Sequence, residues 1–253
     1  MLGNPHVCGG ILLTYNPATI LTAAHCVADA KPPPAGKSSP FFVGYKAAER
    51  AKHTYNPIED WVTHPAYVIN DNGDVDMHYD MAIVKLAHPI EPSKHLNRVA
   101  LWPANKTLPQ YTRGSLMGFG YTGIDEPEAD ILQRTTLGVT QFSPGTSNMV
   151  EAVASHDDSL ACHGDSGSPL VVHEVMHSNN TAVLVPRVLG LLARIFGVHD
   201  VNEERATCPT PFESNTTQPS IIESFCNLSN VLPWISNETG LTVDELTDPF
   251  YEP

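Results

Sequence analysis

Short apolar runs separated by clusters of Pro, Gly, Asn and Asp dominate the chain, and almost nowhere does a helical period persist. The runs at Ile11–Leu13, Phe41–Val43, Ala82–Leu86, Ser115–Phe119, Leu170–Val172 and Val188–Leu192 have the length of strands. The longest early apolar stretch, Ile11–Val27, is broken by Asn16, Pro17 and His25, and reads as two strands joined by a turn. Twenty-two prolines suit strand ends and turns and penalise long helices. The pattern therefore predicts an all-β barrel or sandwich with no internal repeat. Long loops are expected at Lys31–Pro40, Asn70–His78 and Gly197–Pro219. One helix is expected near the end, with Asn230 as cap, Val231, Leu232 and Ile235 on one face, and Pro233 in the first turn. The acidic tail beyond Gly240 is expected to lie loose or draped on the surface. The polar, proline-bearing stretch Leu101–Arg113 is the candidate crossing between two β halves.

Composition narrows the function. Fourteen basic residues against twenty-eight acidic ones leave a formal charge of −14, which argues against binding a phosphate backbone. No stretch reaches the ~18 apolar residues needed to span a bilayer. Five Asn-x-Ser/Thr sequons, at Asn105, Asn179, Asn215, Asn227 and Asn237, favour a secreted, glycosylated protein. The five cysteines carry no Cys-x-x-Cys zinc spacing, and in an exported protein they suggest two bridges and one leftover thiol.

Three segments carry chemistry: Leu21-Thr22-Ala23-Ala24-His25-Cys26, Tyr79-Asp80-Met81-Ala82-Ile83-Val84-Lys85-Leu86, and Cys162-His163-Gly164-Asp165-Ser166-Gly167-Ser168-Pro169-Leu170. Alone, each has a dull explanation: a polar histidine at a strand end, an aspartate in a turn, a tight Gly-Asp-Ser-Gly turn. Together they supply what acyl transfer needs. A serine hydroxyl attacks only when a base takes its proton, and imidazole can accept that proton and return it. A buried carboxylate fixes the imidazole tautomer and stabilises the imidazolium. Backbone N–H groups at Gly164 and Ser166 can hold the oxyanion.

In this order and context the segments resemble the chymotrypsin/trypsin family of serine endopeptidases, over about Pro5 to Ile235. The resemblance implies two six-stranded antiparallel barrels with the active site between them. It divides a single peptidase domain into a first barrel over 1–105 (incomplete at its amino terminus), a second over 113–228, and a C-terminal helix with acidic tail over 229–253. It implies catalysis by His25, Asp80 and Ser166, disulfides Cys8–Cys26 and Cys162–Cys208, a buried thiol at Cys226, and no cofactor or metal. His64, in Val62-Thr63-His64-Pro65-Ala66-Tyr67, is expected to be structural, and Gly118-Phe119-Gly120 to open the second barrel. Leu160 falls at the floor of the substrate (S1) pocket, with Ile195 on a wall and Ser220 opposite, so the pocket reads as apolar rather than trypsin-like. Asp157 and Asp158 miss the spacing of a floor acid.

Departures from the family pattern matter too. Ser168 replaces a glycine usual two places after the nucleophile, and Ala193 a serine that supports the aspartate. The family's Ile-Val-Gly-Gly amino terminus, which would pair with Asp165, does not precede Cys8. The expectation is a zymogen-like chain whose native form carries a signal peptide and about two dozen further residues. The acidic loop Asn70–Asp76 clusters oxygen ligands but lacks the EF-hand spacing and closing glutamate, and no metal is assigned to it. An α/β-hydrolase reading fails on chain order and on Ser168. The rival reading is a catalytically silent protease homologue that binds partners. The expected protein is a secreted monomer acting on protein or peptide substrates, away from nucleic acid and membrane.

Overall fold

In a computed structural model the described residues are 8–34, 40–69, 77–94, 96–123, 126–154, 160–178, 181–196, 208 and 221–251. The acidic loop 70–76, the sequons at Asn179 and Asn215, and the residues Asp157, Asp158 and Ser220 lie outside them.

Two antiparallel sheets follow one another along the chain. The first holds β1 (Ile11–Tyr15), β2 (Ala18–Thr22), β3 (Phe42–Tyr45), β4 (Thr54–Thr63) and β5 (Ala82–Leu86), in the order β1-β2-β5-β4-β3. It forms a half-barrel. The second holds β6 (Ala100–Leu101), β7 (Arg113–Gly118), β8 (Gln133–Gln141), β9 (Met149–Ala154), β10 (Pro169–Ser178), β11 (Thr181–Phe196) and β12 (Ile222–Asn227). Its order is β10-β7-β8-β9-β12-β11-β6, and a further β10–β11 pairing closes six of these strands into a barrel. β6 pairs parallel with β11 outside that ring. The fold is the mostly β, two-barrel type that the resemblance implies, except that among the described residues the first sheet has five strands and stays a half-barrel.

Alternation along the strands assigns side chains to three cores. In β2 and β5, Ala18, Ile20, Ala82, Val84 and Leu86 face the inside of the first sheet, whereas Leu21 and Ile83 face a core shared between the sheets. That shared core also takes Leu101, Val171, Val188, Leu191 and Leu228 from the second half. Strands buried on both faces have no solvent side, so they read as continuous apolar runs rather than as alternation. The third core, with Leu137, Leu170, Leu189 and Phe225, fills the second barrel.

The C-terminal region departs from expectation in two ways. Helix α1 spans Leu232–Thr239 with Pro233 in its first turn and Leu232 and Ile235 buried, as the pattern implies, but its cap is Val231, which offers no side-chain bond. Asn230 lies in the preceding 3-10 turn and is turned elsewhere: its Oδ1 accepts from Gly145 N at 2.7 Å and its Nδ2 donates to Ser147 O at 2.8 Å. The acidic tail is not loose. Thr242 and Glu245 form a reciprocal capping box that starts a second helix, α2 (Val243–Thr247), and this sets Leu246 fully into the shared core. The Arg98 guanidinium then donates to the carbonyls of Glu245 (2.9 Å) and Leu246 (3.2 Å), groups that a helix end leaves unsatisfied. Of the sequons within the described residues, Asn105 and Asn237 are exposed. Asn227 is 1% exposed with its amide on Ser147 O, so the folded state does not display it.

Both expected disulfides are present, Cys8–Cys26 and Cys162–Cys208, and Cys226 is a fully buried thiol whose Sγ donates to Met77 O at 3.1 Å. Cys8 and Cys26 are separated by 18 positions. By loop entropy a bridge of that span contributes about 3 kcal/mol. Denaturant unfolding of the Cys8→Ser/Cys26→Ser double variant should therefore give a stability lower by about that amount. An unchanged midpoint and slope would contradict the assignment.

Candidate active site

Pairing of Thr22 with Ala82 across β2 and β5 sets the ends of these two strands side by side. Beyond β2 the chain makes a 3-10 turn, Ala24–Cys26, tied down by the Cys8 bridge, and it carries His25. Just before β5 lies Asp80, wholly buried, in a tight turn closed by Met81 N to Tyr79 O (2.7 Å). Two hydrogen bonds join them: His25 backbone N–H donates to Asp80 Oδ1 at 2.8 Å, and His25 Nδ1 lies 2.6 Å from Oδ2. With a carboxylate accepting, Nδ1 is the donor of this pair, and in the neutral imidazole Nε2 is then the acceptor. The imidazole keeps 31% of its side-chain surface open, while Asp80 has none. This is the geometry of an oriented general base.

The rest of the Asp80 support was not foreseen. Cys226 of the second barrel sits beneath the turn, with Sγ 3.6 Å from Asp80 O as well as on Met77 O. His64 stacks on Tyr79 (4.7 Å, 13° between planes) and meets Trp234 of α1 edge-on. Its Nδ1 accepts from Ala66 N at 3.1 Å, and burial lowers its pKa, so it is a neutral spacer between α1 and the turn. That agrees with the structural role expected for it.

Ser166 comes from the second half, on two consecutive turns. Asp165 N donates to Cys162 O (3.0 Å) with Gly164 at φ +90°, and Ser168 N donates to Asp165 O (2.9 Å) with Gly167 at φ +76°. Both third positions need the positive φ that glycine supplies. Gly167 is also pressed against the first sheet. A Cβ there would lie 2.5 Å from Thr22 Oγ1, 2.8 Å from Gly9 O and 2.9 Å from Ala23 N. Gly9 N in turn donates to Ser166 O at 2.7 Å. The residue after the serine thus packs on the residue two before the histidine. Ser168, in place of a smaller residue, is 1% exposed, and its Oγ fills the gap that the missing side chain of Gly9 leaves.

Asp165 is buried, and its oxygens accept from Gly120 N (2.9 Å) and Cys162 N (3.0 Å). Gly118 and Gly120 are glycine because a Cβ at either would collide with this carboxylate, at 1.9 Å from Oδ1 and 2.6 Å from Cγ respectively. Among the described residues none forms an ion pair with Asp165, and desolvation raises its pKa above the ordinary 3.8. Residues 1–7 are outside the description.

A second buried acid was missed. Glu223 on β12 is 0% exposed, with Oε1 accepting from Ala161 N at 3.0 Å and Oε2 without a hydrogen-bond partner. Desolvation first, and then the nearby Asp165 charge, push its carboxyl up from 4.5 to about 7. A lone acid inside the apolar segment Ile221–Cys226 was the available signal. Leu160 and Ile195, the expected pocket residues, are both half-buried, and Ile195 lies directly across from Glu223 in the sheet. One cluster of potential metal ligands occurs among the described residues, Cys8, His25 and Cys26, but its two sulfurs are spent on the disulfide.

Glu223 and Asp165 make stability depend on pH. Each has a folded-state pKa above its unfolded value, so the folded protein holds protons that the unfolded chain releases. The stabilisation is complete below about pH 4 and is lost as pH rises through the folded values. For Glu223 a rise from 4.5 to about 7 corresponds to about 3 kcal/mol lost by pH 8. Thermal or urea unfolding from pH 5 to 8 should show this decline, and Glu223→Gln should flatten most of it. Equal slopes in the two proteins would refute the account.

The trypsin family model matches residues 2–193. The chain is 27% identical over 176 residues to granzyme M of Homo sapiens (66% of this chain, 64% of that protein), and 28% identical over 185 residues to a tryptase of Mus musculus (66% and 63%). It is 27% identical over 183 residues to hypodermin-A of Hypoderma lineatum (68% and 65%). The matches span a little under two thirds of each relative. With the family model covering most of the chain and a mostly β, two-sheet fold that agrees with it, this protein belongs to the trypsin family of serine proteases.

Proposed function

We propose that the protein is a secreted serine endopeptidase working through an acyl-enzyme. The observation that carries the reading is the pair of hydrogen bonds from His25 to the buried Asp80, together with the packing of Gly167, next to Ser166, on the Thr22–Ala23 segment that leads to His25. Ser166 Oγ attacks the peptide carbonyl carbon while its proton passes to His25 Nε2. The C–N bond then breaks, and the departing amine takes that proton. Water repeats the sequence on the ester, releasing the acid and restoring Ser166. The N–H groups of Gly164 and Ser166 are the proposed oxyanion donors, each worth roughly 3 to 4 kcal/mol of barrier. Asp165, fixed between Gly120 and Cys162, holds the loop that presents them.

Leu160, with no acid in its place, gives the proposed S1 pocket an apolar floor. Secretion is supported by two disulfides, which persist in oxidising compartments, and by exposed sequons at Asn105 and Asn237. No helix among the described residues is long and apolar enough to cross a membrane. The proposed protein acts as a monomer on protein or peptide substrates.

Hydrolysis of an unstructured protein substrate tests the assignment. Ser166→Ala and His25→Ala should each lower kcat/KM by on the order of 10⁴-fold or more, and the double variant should lose little beyond that, because the two act as a unit. Near-wild-type turnover by folded Ser166→Ala would overturn it.

A further inference from the structure

The pair formed by His25 and Asp80 is closed on itself. Among the described residues every hydrogen bond to the Asp80 carboxylate comes from His25, one from its backbone N–H and one from its ring. Ala193 stands where the resemblance places a serine supporting the aspartate, and it carries no side-chain donor. A carboxylate held only by the base it orients does not by itself fix that base in space. The direction of Asp80 is therefore set by the backbone on which it stands, the turn from Met77 to Met81.

That turn is gripped from two sides. On one, His64 donates its backbone N–H to Met81 O (2.8 Å) and lays its ring on Tyr79, with Trp234 of α1 edge-on to it. On the other, Cys226 of β12 brings Sγ within 3.1 Å of Met77 O and 3.6 Å of Asp80 O. Among the described residues no turn or loop bond from a backbone N–H reaches the Asp80 carbonyl. The place of the thiol in the sheet gives this contact its meaning. Cys226 pairs with Leu191 of β11, and the next residue, Leu192, is bonded in both directions to the nucleophile loop. Gly167 N donates to Leu192 O (2.8 Å), and Leu192 N donates to Ser168 O (2.9 Å). Neighbouring rungs of one strand pair thus hold the Asp80 turn and the Ser166 loop. Cys226 also faces Met149 across β9, so an apolar side chain would suit this core equally well, but it would leave the turn without a donor.

We propose that Cys226 is a positioning residue for the reaction: its thiol, donating to the carbonyls of Met77 and Asp80, keeps the Asp80 turn, and through it His25, in register with Ser166. The inference rests on the endopeptidase reading for the use made of that register. The thiol is fully buried, meets no substrate atom and takes no part in the bond changes. Its loss should therefore lower kcat and leave KM nearly unchanged.

Cys226→Ala and Cys226→Ser remove the same sulfur and differ by one hydroxyl, so comparing them separates donation from packing. On an unstructured protein substrate the first should lower kcat about tenfold at unchanged KM, and the second should recover most of the loss. In the Ser166→Ala background, where no catalysis intervenes, proton NMR reads the His25 Nδ1–H directly, because a short charge-assisted hydrogen bond moves its proton far downfield. That resonance should shift upfield or broaden in Cys226→Ala and stay in place in Cys226→Ser. Equal loss in both variants, or none in either, would overturn the proposal. Should Cys226→Ala fail to fold, Cys226→Val and Cys226→Thr, alike in shape and different by a hydroxyl, decide on the same terms. A protein that hydrolyses nothing while its resonance follows the donor at this position would support the positioning role and sink the endopeptidase reading. An active protease in which Cys226→Ala keeps full kcat and an unmoved resonance would do the reverse.

Discussion

Direct backbone contact between the two halves at Gly9 and Gly167 is the constraint on which the site depends. Gly9 N bonds Ser166 O, Thr22 Oγ1 bonds Gly9 O, and Gly167 N bonds Leu192 O of β11. There is no room at either glycine for a Cβ. The His25 turn and the Ser166 loop belong to different sheets, and a spacing of several ångströms set by side chains would leave their relation soft. Contact through backbone removes that freedom. The shared apolar core behind the seam, to which β2, β5, β11 and the C-terminal helices all contribute, supplies the adhesion.

A second layer of design lies beneath the nucleophile loop, where stability is given up. Asp165 and Glu223 grip successive N–H groups through carboxylates that burial disfavours. Gly118 and Gly120 are sacrificed as side chains to admit the first of these. Such arrangements are destabilising locally and persist where the surrounding core can carry them.

Much of this was legible in the chain. His25, Asp80 and Ser166 stand in segments whose chemistry reads directly, and strands such as Ala82–Leu86 declare themselves by apolar runs. The cysteine pairing followed from the family resemblance. Local pattern failed where partners are distant. Nothing near Glu223 says that β12 aligns it with Ile195 and Ala152, and nothing near Asn230 says that Gly145 and Ser147 will claim its side chain. Asn227 reads as a glycosylation signal, yet its burial follows from β12 being central to the sheet. The second helix was a missed local signal: Thr242-Val243-Asp244-Glu245 is a capping box, masked by the acidic composition of the tail.

In the proposed mechanism the Asp80-oriented His25 activates Ser166. Reaction of the folded protein with a fluorophosphonate, followed by intact-mass and peptide analysis, tests it most directly. A single adduct is expected, on Ser166, forming at least a hundredfold more slowly in His25→Ala, in keeping with the ~10²- to 10⁴-fold contribution of a general base. A folded wild-type protein that takes no label, or a His25→Ala variant that labels at the same rate, would contradict it.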